Sequence, residues 1–307
     1  MTVVGEYIDW MNRIFAKSME RADPRVSSLF LMSSVNSLLY VIIAYLILVY
    51  YGLKFMKGRN PFQINRLVFV YDWVMVVMNA YMLYESIAVA LNENYSLYCQ
   101  KVDYSSNPNA LRLLRAIWLF HISKVIECLD TFFFIIRGRT HLVTWLHVYH
   151  HCTMIPITWA GVKWVAGGEI FQPVAVNCTI HVIMYSYYAF AALGPKWRKY
   201  LWWKRYLTML QMIQFSYGVF YSYISLYHQC GLKEFVYYIN VFYQASLLLL
   251  FYNHYHHAYH KSKNPKLCKA VRIPEQWYQQ YYTTSHAESE PRIFRLACQR
   301  LTLGQVS

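Results

Sequence analysis

The sequence predicts an all-α membrane protein that crosses the bilayer seven times. Of its 307 residues 57% are hydrophobic and only 14% charged, where a soluble chain carries roughly 25% charged residues. Tyr, Trp and Phe make up 19% of the chain, and because Tyr scores as nearly neutral on polarity scales, the mean hydropathy of +0.20 understates the apolar surface. Apolar runs of about 20 residues recur, with Lys and Arg gathered in the short stretches between them. A net charge of +14 distributed in that way argues against a nucleic-acid partner, which needs a basic face on a compact domain.

Residues 1–25 hold Glu6, Asp9, Arg13, Lys17, Glu20 and Arg21 without a continuous apolar core. They read as an amphipathic lead-in lying on the membrane surface, not as a cleavable signal peptide. Spans are expected at 29–52, 67–91, 116–136, 142–162, 171–192, 206–227 and 235–257. The fourth and fifth carry His147, His150, His151, Asn177 and His181, polar groups expected to turn inward. Residues 26–260 then form the membrane domain and 261–307 a flexible basic tail, in which Pro291 to Gln305 reads either as a surface-lying basic helix or as a frayed end.

An odd number of spans places the termini on opposite sides. With the N-terminus outside, 19 of the 29 Lys and Arg residues fall on the cytosolic side and 9 opposite, with Lys124 inside a span. The excess of basic residues assigns the C-terminus to the cytosol. This leaves Cys99 and Cys230 as the two cysteines on the oxidising side. A disulfide between them is expected, with two free thiols as the alternative, since sequence gives no distance. The sequon Asn94-Tyr95-Ser96 lies on the same side close to a span end, whereas Asn177-Cys178-Thr179 falls inside a span.

Ionisable groups in hydrocarbon need a partner, a water-filled cavity or a task. In the third span His121, Lys124, Glu127 and Thr131 share one helical face, with Asp130 at its edge. Lys124 and Glu127 alone would serve as a packing lock. In the fourth span His147, His150 and His151 share a face; in the fifth, Asn177, His181, Tyr185 and Tyr188; in the sixth, Thr208, Gln211 and Gln214. At 1.5 Å per residue, Glu127, His150 and Gln214 lie about 12–14 Å from the cytosolic ends and His181 about 16 Å, so four helices bring their polar groups to one level. That pattern points to a shared aqueous chamber in which a charged cytosolic reactant meets an apolar one held in the bilayer.

Histidines in number are a metal-ligand signature, and HxxHH also occurs in membrane di-iron desaturases and hydroxylases. A second cluster, His254, His256, His257 and His260, sits at the cytosolic end of the last span. A di-iron set needs several such boxes at one level, and the sequence offers only HVYHH and the looser HYHHAYH. No metal is therefore expected. A seven-helix receptor or transporter with a polar core remains the alternative from another class, although it has no need of three inward histidines within five residues.

Four segments, KVIECLDT, HVYHH, NCTIHVIMYSYY and TMLQMIQ, stand in order between Lys124 and Gln214. In type, order and spacing they resemble KxxExxDT, HxxHH, NxxxHxxMYxYY and TxxQxxQ of the very-long-chain fatty-acid elongases. The span pattern extends the resemblance over roughly residues 26 to 260. Cys128 stands where the family often has Phe or Leu, and Leu142 where elongases of polyunsaturated chains often have Gln; HVYHH in place of HWYHH leans away from the elongases of shorter saturated chains. The resemblance implies seven helices, six of them enclosing a narrow acyl tunnel, in the endoplasmic reticulum membrane with a luminal N-terminus.

The implied reaction condenses an acyl-CoA with malonyl-CoA to 3-oxoacyl-CoA, CO₂ and CoA, with no cofactor beyond these substrates. Cys152 and Cys178 lie in apolar runs unsuited to a thiolate, so imidazole is the nucleophile left. His150 is expected to attack the thioester, with His147 or His151 orienting it or moving protons. His181 and Asn177 would polarise the malonyl carbonyl and hold its enolate. Lys124 would neutralise the malonyl carboxylate or a CoA phosphate, fixed by Glu127 and Asp130. Tyr185, Tyr188, Gln211 and Gln214 would line the substrate path, and Lys196, Lys204 and Arg205 at the mouth would hold the CoA phosphates. Bulky residues at the luminal end, Tyr221, Tyr223 and Phe235, are expected to limit chain length. The lipid bilayer surrounds the protein, and a homodimer and other enzymes of the elongation cycle are further candidate partners.

Overall fold

The computed structural model describes residues 3–230, 232 and 234–259, and every regular element among them is helical. The helices are α1 (Val3–Glu20), α2 (Val35–Met56), α3 (Asn65–Asn92), α4 (Pro108–Ile126), α5 (Cys128–Ile136), α6 (Trp145–Val165), α7 (Phe171–Ala192), α8 (Pro195–Arg198), α9 (Lys204–Tyr227) and α10 (Glu234–Tyr259). Three helical stretches are long and apolar enough to cross a membrane: α2, α3, and α7 with the 3-10 turn Gly168–Ile170 that leads into it. α6 and α9 reach similar lengths, but their sequences are interrupted by histidines or by glutamines and tyrosines. Two units divide the chain at Tyr252; of the second, the described part is residues 253–259 at the end of α10.

Within the first unit α7 packs along α3, α4 meets both α3 and α6, α2 rests against α5 and α6, and α9 lies on α7. The largest core joins Met82 and Val89 of α3, Leu113 and Ile117 of α4, Trp159 and Val162 of α6, and Val174 and Cys178 of α7. Lipid tails are as apolar as these side chains, so dispersion and interhelical hydrogen bonds hold such a core, with little help from water exclusion. α2 shows the lipid-facing extreme: Tyr45 and Met56 are its buried residues, while Ile43, Ile47 and Tyr50 face outward.

The expected span 116–136 is two helices. α4 starts eight residues earlier, at Pro108, where the Asn107 side chain accepts a hydrogen bond from the Asn109 amide at 3.0 Å. It ends at Ile126, and α5 begins at Cys128. At the joint the Asp130 amide bonds the Glu127 carbonyl at 3.0 Å, a tighter turn of the 3-10 kind. The Glu127 carboxylate folds back onto Lys124, one turn earlier.

The stretch from Ser18 to Met32 is tied to the helices that follow. The indole N–H of Trp164 donates to the Ser18 carbonyl at 2.8 Å, those of Trp118 and Trp159 to Phe30 and Leu31, and the Lys163 ammonium to Met32. Leu31 takes a positive φ of 65°, so these donors hold a turn that a non-Gly residue rarely adopts. Val26 and Met32 are fully buried.

Near the start of α7, Cys99 and Cys230 are joined by a disulfide across 131 residues of sequence, with their Cα atoms 5.0 Å apart. Gly168, at φ 54°, lies against the same loop: a Cβ there would stand 2.7 Å from the Gln100 carbonyl oxygen and the Val102 nitrogen. Only glycine permits that approach.

Candidate active site

α4 and α7 build a buried polar knot. The Lys124 ammonium, 1% exposed, donates to Glu127 Oε1 at 2.8 Å and to Asn177 Oδ1 of α7 at 2.9 Å. His181, one turn further along α7, places Nε2 3.5 Å from the same ammonium and Nδ1 3.2 Å from Glu127 Oε1. A buried ion pair persists only where further hydrogen bonds satisfy its remaining donors and acceptors, and Asn177 supplies one of them. His181 Nδ1 is close to Glu127 but poorly aligned, and among the described residues it has no hydrogen-bond partner.

A second set lies one turn along α5. Asp130 Oδ2 accepts a 2.7 Å hydrogen bond from the hydroxyl of Tyr185, which is fully buried. The Tyr185 ring packs edge-on against Tyr71 of α3 and against Tyr188.

α6 supplies the histidines. The Thr144 hydroxyl accepts from the His147 amide and starts the helix, which sets His147, His150 and His151 on one face. The His147 and His151 rings are 4.4 Å apart between centroids, and those of His150 and His151 5.3 Å. His147 Nε2 is bonded to the Thr131 hydroxyl of α5 at 2.7 Å, which in turn meets the Tyr45 hydroxyl of α2 at 3.0 Å. The Thr131 bond ties this face to the turn that carries Glu127, one helical turn earlier in the chain. This brings a cation, a carboxylate, an amide and four imidazoles into one region, which is the equipment of proton transfer, nucleophilic attack and anion stabilisation.

The remaining expected site residues lie around this centre. Gln211 on α9 reaches the Met184 sulfur at 3.5 Å, while Gln214 is half-buried on the same helix. Lys196, Lys204 and Arg205 are exposed at α8 and the start of α9, outside the buried knot. Lys196 borders a cleft shared with Trp197, Lys199 and Tyr200. Tyr221 is buried, its hydroxyl donating to the Glu169 carbonyl at 3.3 Å. Tyr223 is 63% exposed and faces away from the interior, so it is no candidate for limiting a chain held inside. The Phe235 side chain and His260 lie outside the described residues. Among the described residues one group of His, Cys, Asp or Glu side chains has its ligand atoms mutually close enough for a metal ion, Cys99, Glu169 and Cys230, and its two sulfurs are already bonded to each other.

The model of the ELO family, described as the GNS1/SUR4 family, matches residues 30–267. The chain belongs to the ELO family. Similar ELO proteins include the Macaca mulatta protein "Very long chain fatty acid elongase 4", 45% identical over 250 residues, covering 81% of this chain and 80% of the relative. The Homo sapiens protein of the same name is 44% identical with the same coverage. "Very long chain fatty acid elongase 7" of Rattus norvegicus is 38% identical over 254 residues, 82% of this chain and 90% of the relative. The ELO match includes every expected site residue from Cys99 to Cys230; α1 lies outside it.

Sequence reasoning missed three contributors to this ELO site. Tyr45 is one of four tyrosines in α2, and nothing in the spacing of an otherwise aliphatic run marks it. Tyr71 and Thr158, the latter bonded to His121 Nδ1 at 2.9 Å, are likewise ordinary span residues until their helices are placed together.

Proposed function

We propose that the knot on α4 and α7 and the histidine face of α6 are the two halves of a condensing site. The chain is a fatty-acid elongase, an acyltransferase that joins an acyl-CoA to malonyl-CoA and gives 3-oxoacyl-CoA, CO₂ and CoA. The observation that carries the reading is the Lys124 ammonium held among Glu127, Asn177 and His181, with the histidine face of α6 tied to the following turn through Thr131.

His150 is the nucleophile, while Nε2 of His147 is taken by Thr131 and is not free to attack. An imidazole nitrogen of His150 attacks the thioester carbonyl, the C–S bond breaks, and CoA leaves as thiolate. The ring gives up a proton, and an acyl-imidazole remains. Malonyl-CoA then binds with its carboxylate toward Lys124. Its C–C bond breaks, CO₂ leaves, and the electron pair forms an enolate whose oxygen His181 and Asn177 hold. The enolate carbon attacks the acyl carbonyl, the C–N bond breaks, and the leaving imidazolate takes back the proton that its ring gave up, which frees His150. The net reaction consumes one proton, which ends on the CoA sulfur. Splitting the reaction in two spares a narrow site from holding two CoA groups at once.

Seven spans are proposed for the membrane domain, α2, α3, α4 with α5, α6, α7, α9 and α10, six of them around an acyl tunnel. The location is the endoplasmic reticulum membrane, with a luminal N-terminus and a cytosolic C-terminus. The C-terminal lysines, Lys196, Lys204 and Arg205 then face the cytosol, where they meet the CoA phosphates. The reading needs no metal. Purified protein given labelled malonyl-CoA and a panel of acyl-CoAs should make labelled 3-oxoacyl-CoA, with turnover unchanged by chelators. Absence of product across the panel, or loss of activity together with stoichiometric iron, would favour a di-iron oxidase.

A further inference from the structure

Among the histidines of α6, His147 has a hydrogen-bonded chain of its own. Its Nε2 is 2.7 Å from Thr131 Oγ1, and that hydroxyl is 3.0 Å from the Tyr45 hydroxyl. Thr131 is fully buried and Tyr45 is 4% exposed. Tyr45 is also an exception within its helix, since the residues around it on α2 face outward. A phenol buried at this depth needs an acceptor for its proton, and among the described residues Thr131 is the hydrogen-bond partner it has.

That requirement fixes the direction of the chain. If Tyr45 donates to Thr131, the single hydroxyl proton of Thr131 is free to donate to His147 Nε2, and every proton has an acceptor. If His147 donated from Nε2, Thr131 would either donate to Tyr45, leaving the phenolic proton without a partner, or accept from both rings, leaving its own buried proton without one among the described residues. We propose that Tyr45, acting through Thr131, is a positioning residue that holds His147 as the tautomer protonated at Nδ1, with Nε2 an acceptor. Its proton then sits on the nitrogen that the Tyr45–Thr131 chain does not occupy. The His147 ring, 4.4 Å from His151 and 5.4 Å from Phe134 between centroids, is fixed in plane as well as in protonation.

The assignment gives α2 a part in the chemistry that its composition hides. It also separates the histidines: with Nε2 engaged, His147 is not free to attack through that atom, and its role is to orient and exchange protons beside His150. The inference rests on the condensing reading for its kinetic consequence, but the tautomer itself does not depend on it.

The test uses full-length protein carrying ¹⁵N-labelled histidine in lipid nanodiscs, with the His147 resonances assigned by their loss in His147→Gln. The wild-type ring should show a protonated Nδ1 and an unprotonated, hydrogen-bonded Nε2. In Thr131→Val that pattern should collapse toward the Nε2-protonated or mixed form, and Thr131→Ser should restore it. Kinetically, Tyr45→Phe keeps the ring and removes the donor; it should lower kcat by about tenfold with KM little changed, whereas a merely structural loss would appear in the folded fraction. A wild-type His147 protonated at Nε2, or a Thr131→Val protein with an unaltered His147 spectrum, overturns the proposal. If the spectra follow expectation and no condensation is found, it is the functional reading that fails, not the tautomer assignment.

Discussion

Lys124 shows how a single charge is tolerated in hydrocarbon: it makes two hydrogen bonds under 3 Å, and the Phe120 ring lies 4.5 Å from its ammonium. Removing one partner leaves the other as an uncompensated buried charge, which costs about 3–5 kcal/mol. Lys124→Met should therefore lower the thermal midpoint in detergent more than the double change Lys124→Met with Glu127→Gln, which removes the orphaned carboxylate charge. Equal losses in the two proteins would mean that the pair is not held as described. Much of this residue-level picture was legible beforehand, because Lys124, Glu127, Asn177 and His181 repeat at helical spacing and charged groups in spans demand partners. Tyr45 was not, since a tyrosine among aliphatic residues signals nothing until α2 is seen against α5 and α6.

At the scale of elements, α2, α3 and α7 were readable as long apolar runs, and α9 and α10 form helices where runs 206–227 and 235–257 were expected. The break at Glu127 was not readable, since no Pro or Gly marks the point where the Asp130 amide turns to the Glu127 carbonyl. The connection stapled by Cys99 and Cys230 offers a direct check. Cys99→Ser should destabilise the protein by about 2–4 kcal/mol, measured by thermal unfolding with and without reductant, while condensation at low temperature persists. Loss of activity without loss of stability would place the disulfide in the chemistry. Tyr221 and Tyr223 give a second check, two residues apart on α9 and facing opposite ways. Tyr221→Ala should lengthen the products and Tyr223→Ala should leave them unchanged; the reverse order would move the closed end of the tunnel elsewhere.

For the molecule as a whole, apolar composition and the placement of basic residues already argued for a membrane protein, whereas the way α3 and α7 pair was beyond sequence, since the polar face of α7 does not say which helix packs beside it. The proposed orientation is open to labelling in sealed microsomes, using a chain in which Cys268 and Cys298 are replaced by Ser. An impermeant thiol reagent should modify Lys57→Cys in intact vesicles and Ser106→Cys only after detergent is added. Modification of Ser106→Cys in intact vesicles would invert the topology.

The central claim is that His150 carries the acyl group between two separate encounters. It is tested most directly by incubating the protein with acyl-CoA alone and measuring both free CoA and the mass of the peptide spanning Val143 to Thr153. The account predicts stoichiometric CoA release and an acyl adduct on His150, both absent in His150→Ala. Release of CoA only when malonyl-CoA is also present, with no adduct on the peptide, would contradict it and establish a one-step ternary reaction.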